Sequence, residues 1–91
     1  MAYRVEWSST ATKDLKHLDA KTGQLIRSWV RQNLEGCENP WAVAGGKALQ
    51  GRDGGWRYRV GKYRILVTIF KERLVIRLIR VGHRQGVYKG L

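Results

Sequence analysis

The run Trp56-Arg57-Tyr58-Arg59-Val60-Gly61-Lys62-Tyr63-Arg64-Ile65 constrains the fold more than any other part of the chain. Successive side chains of a strand point to opposite faces of a sheet, and here arginine alternates with aromatic and aliphatic residues. A two-residue loop that opens on glycine suits a type II′ hairpin, so Gly61-Lys62 reads as the turn between strands over 56–60 and 63–70. That turn pairs Val60 with Tyr63, Arg59 with Arg64, Tyr58 with Ile65 and Arg57 with Leu66. Arg57, Arg59, Arg64 and Leu66 then share one face, and Trp56, Tyr58, Val60, Tyr63, Ile65, Val67 and Ile69 the other. A slip by one residue would bury the arginines and expose the isoleucines. A weaker turn at Lys71-Glu72 leads into a strand over 73–81, closed by Gly82. In this register Leu66 faces Arg77 and Arg64 faces Ile79. Arg77 joins the arginine face, while Leu74, Ile76 and Leu78 join the apolar one.

Upstream, Tyr3-Arg4-Val5-Glu6-Trp7 alternates as a first short strand. Ser8, Ser9 and Thr10 offer an N-cap for a helix through about Leu18, with Ala11, Leu15 and Leu18 on one side. Asp19 caps a second helix whose apolar stripe is Leu25, Ile26, Trp29, Val30 and Leu34, and Gly36 and Pro40 end it. Residues 36–55 hold six glycines and read as a loop with a brief turn of structure around Ala48 and Leu49. Trp7, Trp29 and Trp56 fall on apolar stripes and are expected in the core, whereas Trp41 lies in the loop. The whole reads as one α+β domain over 1–91: an N-terminal strand, a two-helix hairpin, then a three-stranded antiparallel meander. The helices must pack on the apolar face, which leaves the arginine face open.

Charge narrows the choice of partner. The formal net charge is +11; residues 52–91 carry eleven Lys/Arg against two Asp/Glu, and residues 1–51 seven against five. A surface this basic repels itself unless its partner is anionic, so nucleic acid comes first and an acidic protein second. The arginines fall on strands, not on an amphipathic helix, which argues against a membrane surface. The pair Arg59/Arg64 is costly, because like charges directly opposite destabilise a sheet; a site for several phosphates accounts for that cost, since guanidinium forks bind oxygens bidentately. Arginines snorkelling to water are the bland alternative. The single cysteine, Cys37, allows no internal disulfide, and neither a metal-ligand cluster nor a cofactor motif is present. There is no signal-peptide pattern, and the longest apolar run, 65–70, is far short of a membrane span. The expectation is a soluble cytoplasmic protein.

In order and spacing, Gly46-Lys47-Ala48-Leu49-Gln50-Gly51, then Trp56 to Ile65, then Val81-Gly82-His83-Arg84 and Val87-Tyr88 resemble the RelE/ParE toxin superfamily of toxin–antitoxin pairs. The resemblance covers essentially the whole chain. RelE-like members cut mRNA in the ribosomal A site, and the resemblance implies that activity, with mRNA, ribosome and a cognate antitoxin as partners. It places functional basic positions on Arg57, Arg59, Arg64 and Arg84, and a tyrosine on Tyr88. ParE-like members share the fold, inhibit DNA gyrase and generally lack this basic set. A gyrase inhibitor and a plain nucleic-acid-binding module are the competing readings. Some relatives carry lysine in the second strand, where this chain has arginine. An arginine keeps its proton, with a pKa above about 12, so Arg57 and Arg59 can stabilise charge but cannot serve as general base. Tyr88, His83 or a ribosomal group is left for that role. His17, on the first helix, reads as structural or exposed. Lys47 and Arg77 are candidate RNA contacts.

Overall fold

The structure, a computed structural model of the chain, describes residues 1–83 together with 86 and 87. Strand β1 (Arg4–Trp7) is followed by helices α1 (Ser9–His17) and α2 (Ala20–Asn33), then by strands β2 (Gly46–Ala48), β3 (Gly55–Val60), β4 (Tyr63–Phe70) and β5 (Val75–His83). They form one five-stranded sheet in the order β1-β5-β4-β3-β2. β1 runs parallel to β5, and the other neighbours are antiparallel. The α+β architecture is the one the sequence pattern demands, with one strand more than expected.

The helices start where their caps are. Ser8 Oγ accepts from Ala11 N at 3.0 Å, and an Asp19 carboxylate oxygen accepts from Thr22 N at 3.1 Å. Hydrogen bonding to Thr22 holds the Asp19 carboxyl below the usual carboxylate range. Ala11, Leu15, Ile26, Val30 and Leu34 pack with Tyr58, Ile65, Val67, Ile69, Ile76, Leu78 and Val81 into the core. Trp7, Trp29 and Trp56 are half-buried against it. Leu25 departs from the expected stripe and is 60% exposed; the sheet-facing line of α2 is Gly23, Ile26 and Val30, and Leu25 lies about 100° round the helix from Ile26. Tyr58 anchors the long loop: its hydroxyl donates to Pro40 O at 2.7 Å and its ring meets Trp29 with centroids 5.5 Å apart. Burial pushes the Tyr58 phenol well above its ordinary value. None of the helices among the described residues is long and apolar enough to cross a membrane.

The β3–β4 hairpin has the register read from its turn, from Val60↔Tyr63 to Arg57↔Leu66, with Gly61 at φ 60. The β4–β5 hairpin corrects the expectation twice. Its connection is Lys71-Glu72-Arg73-Leu74, so Phe70 pairs with Val75 and Arg77 lies opposite Thr68, not Leu66. A tight two-residue turn would have required positive φ at non-glycine residues. The longer turn needs it only at Leu74, φ 54, and stacks the Arg73 guanidinium 4.2 Å from the Phe70 ring centroid. This shift by two residues leaves the faces unchanged. The second correction does not. Val67 pairs with Leu78 but Leu66 pairs with Arg80, so a β-bulge inserts Ile79 and brings Gly82, not Ile79, opposite Arg64.

Candidate functional site

The site is built on β2, β3 and β4. Pairing places Lys47 beside Arg57 and Arg57 beside Leu66, and sets Arg59 directly opposite Arg64. With Gly45 and Gly46, these four cations line a cleft of about 330 Å³. Arg57 and Arg64 are half-buried, while Lys47 and Arg59 are exposed. The glycines let the preceding loop approach the strand. Gly45 has φ +87, a conformation that suits glycine, and a Cβ there would stand 3.0 Å from Arg59 O. A Cβ on Gly46 would stand 2.5 Å from Trp56 Nε1. Gly45 O accepts from Arg59 N at 2.9 Å and so fixes this wall of the cleft.

Electrostatics separate this cleft from the rest of the cationic face. Arg4 and Arg77 both reach Glu6, at 3.5 and 3.3 Å. Arg80 Nε lies 2.9 Å from Asp14 Oδ2. Among the described residues no carboxylate pairs with Lys47, Arg57, Arg59 or Arg64; Arg64 Nη1 instead donates to Tyr63 O at 3.2 Å. Four cations around a small concavity, two of them opposed across a strand pair, have the chemistry to accept an anion with several oxygens.

The expected site residues are distributed as follows. Arg57, Arg59 and Arg64 come together, and Lys47 joins them through the edge strand β2. Arg77 shares the face but lies on β5, outside the cleft and paired with Glu6. His83 is in register with Tyr63, and the two rings meet edge-on at 5.9 Å. Tyr63 points to the face opposite Arg64, so the His83 ring lies on the helical side of the sheet. Arg84 and Tyr88 lie outside the described residues. The arginine face is less open than strand alternation implied: Leu66 is fully buried and Val87 is 2% exposed. Val87 Cβ lies 3.6 Å from where a Cβ on Gly82 would be, so Val87 packs back onto the Arg64 face. Sequence reasoning missed β2, whose three residues are too few for periodicity to register. The available signal was Gly45-Gly46 immediately before a lysine. It also missed the link between Asp14 and Arg80.

Comparison with known proteins agrees with this architecture. The family described as "ParE toxin of type II toxin-antitoxin system, parDE" matches residues 5–88. Toxin RelE3 of Methanocaldococcus jannaschii is 30% identical over 89 residues, covering 93% of this chain and 94% of its own. Among solved structures, a chain of the toxin–antitoxin complex RelBE2 from Mycobacterium tuberculosis superposes with a TM-score of 0.72 at 28% identity, covering 92% of this chain and 100% of that one. A chain of the RelB–RelE antitoxin–toxin complex from Methanococcus jannaschii does so with a TM-score of 0.64 at 27% identity, covering 91% and 94%.

Proposed function

Because the chain belongs to the RelE/ParE toxin superfamily, we propose that it is the toxin of a type II toxin–antitoxin pair and acts as a ribosome-dependent endoribonuclease on mRNA in the A site. The observation that carries this reading is the cleft of four cations, Lys47, Arg57, Arg59 and Arg64, unneutralised by any described carboxylate. The reaction is attack of an RNA 2′-hydroxyl on its own neighbouring phosphate, which gives a 2′,3′-cyclic phosphate and expels a 5′-hydroxyl. The attacked phosphate gathers negative charge, and fixed guanidinium groups stabilise it without having to reorganise. Arg84 extends the cation set in this reading. Proton transfer falls to Tyr88, to His83 or to a ribosomal group; the edge-on contact of the His83 ring with Tyr63, on the helical side of the sheet, favours the other two.

Dependence on the ribosome follows from what the cleft lacks. Acid–base catalysis works best with a positioned acid and base of matched pKa, and the four cations supply charge stabilisation only. Aligning the 2′-hydroxyl with its phosphate is worth up to about 7–11 kcal/mol in favourable cases. A 91-residue domain has little surface with which to splay the message, so the ribosome supplies that alignment. Free mRNA is therefore bound with steep salt dependence but cut slowly, and the same message in a programmed ribosome is cut quickly at the A-site codon, with or without EDTA. Fast cutting of free RNA by the pure protein would overturn the division of labour. Tyr88→Phe lowers the single-turnover rate in the ribosome if the hydroxyl moves a proton, and leaves it nearly unchanged if the ring only stacks.

The second reading, a DNA gyrase inhibitor, is favoured by the description of the matching family. The basic cleft weighs against it. A supercoiling assay run beside the mRNA assay separates the two. In either case the cytoplasmic partner is a cognate antitoxin, acidic or shaped to cover the cationic face.

A further inference from the structure

The bulge in β5 decides which face of the sheet the C-terminal chain reaches. Up to Leu78 the strand alternates with Arg77 on the cationic face and Leu78 in the core. Uninterrupted alternation would put Val81 on the cationic face and Gly82 in the core. With Ile79 inserted, Val81 pairs with Ile65 and is 3% exposed, while Gly82 pairs with Arg64. Gly86 N and Val87 N then donate to His83 O at 2.9 and 3.0 Å, and Val87 comes down on Gly82.

Two side chains from outside the strands hold this arrangement, and Ser8 Oγ is the first, donating to O of the bulged Ile79 at 3.4 Å. β1 ends as β5's neighbour where Ser8 N donates to Leu78 O, so beyond that point β5 has no strand beside it on this edge among the described residues. Asp14 of α1 covers it: its Oδ2 accepts from Val81 N and from Arg80 Nε, each at 2.9 Å. The Asp14 and Arg80 side chains are 17% and 25% exposed, so the contact is poorly hydrated, where losing one partner of a charged pair is costly. Bulges persist when the surrounding structure pins them, and here the pin grips both the residue that ends the bulge and the backbone after it.

We infer that Asp14 is a positioning residue for the cleft: by pinning the β5 bulge it puts Gly82 opposite Arg64 and brings Val87 down onto that face. The inference rests on the ribonuclease reading for its catalytic consequence, not for the pin itself. Asp14 lies on a helix, lines none of the cleft, and acts only through β5.

Asp14→Ala and Asp14→Asn, made in the full chain and purified through its antitoxin, test this. Asn keeps an acceptor for Val81 N and loses the charge facing Arg80. In the Ala variant, loss of the hydrogen bond speeds exchange of the Val81 amide by about tenfold, and the nuclear Overhauser contact between Gly82 and the Val87 methyls disappears. The saturating single-turnover rate in programmed ribosomes falls by about 10²-fold, as misplacement of this kind does, while the ribosome concentration for half-saturation is unchanged because the cleft cations are intact. Asn lies between Ala and the unsubstituted protein on each readout. If Ala does not fold, Asn, which keeps the shape, decides. A folded variant that retains the Gly82–Val87 contact overturns the pin, and one that loses the contact but keeps the full rate overturns the positioning role. If the unsubstituted protein leaves ribosome-bound message intact, the ribonuclease reading falls. Exchange and the Overhauser contact need no substrate and still uphold or overturn the pin.

Discussion

The cationic face of the sheet has two halves that look alike in sequence and differ in electrostatics. On the β1–β5 side, Arg4 and Arg77 share Glu6, and Arg80 is held by Asp14. On the β2–β4 side, Lys47, Arg57, Arg59 and Arg64 surround a cleft with no carboxylate partner among the described residues. Arginine alone therefore does not mark a site. The paired half has its charge balanced within the fold, and its cations serve to join strand to strand and helix to sheet. The unpaired half keeps a repulsion that no described carboxylate relieves, most directly in Arg59 facing Arg64, and an anion bound there would relieve it.

The contrast breaks first in the unpaired half. Arg64→Ala should lower the saturating cleavage rate in programmed ribosomes by about 10²–10³-fold, the usual consequence of removing one preorganised donor to a developing charge. Its melting temperature should stay close to that of the unsubstituted protein. A variant that remains toxic in growth assays and cuts normally would remove the cleft from the mechanism. Lys47→Ala should weaken binding to single-stranded RNA and reduce the slope of log K against log salt by about one, which a salt titration measures. An unchanged slope would take Lys47 out of the phosphate contacts.

Stability should move in the opposite sense. Arg59→Thr removes one of two opposed like charges and adds a good strand former, so it should raise unfolding free energy by about 0.2–1 kcal/mol in a denaturant titration while lowering cleavage. A loss of stability would mean that the Arg59/Arg64 repulsion is relieved in the free protein. The smallest effect belongs to the paired half. Glu6→Gln breaks exposed ion pairs, worth about 0–1 kcal/mol, and Arg77→Ala should leave the cleavage rate nearly unchanged. A large rate loss for Arg77→Ala would extend the site across to β5.

Much of this could be read locally. The β3–β4 register follows from one glycine turn and strict alternation, both contained within 56–66. The caps at Ser8 and Asp19 are equally local. Three features escaped such reading, each because its cause lies elsewhere in the chain. β2 is an edge of three residues that exists because Gly45 and Gly46 let the loop approach β3. The turn at 71–74 was misjudged because its signal lacked glycine. His83 went to the helical side because the bulge at Ile79 reverses alternation downstream.

The alternation in 56–70 determined that one face of this sheet would be apolar and covered, and that the other would carry arginines. Side-chain direction on a strand repeats every two residues whatever packs against it, so no tertiary information was needed. Which of those arginines would be neutralised was a tertiary matter. Glu6 precedes Arg77 by 71 positions and Asp14 precedes Arg80 by 66, and only the parallel docking of β1 on β5 and the descent of α1 onto the sheet edge bring them together. Charge pairing depends on distances of a few ångströms between segments remote in sequence, and those distances are set when the core closes.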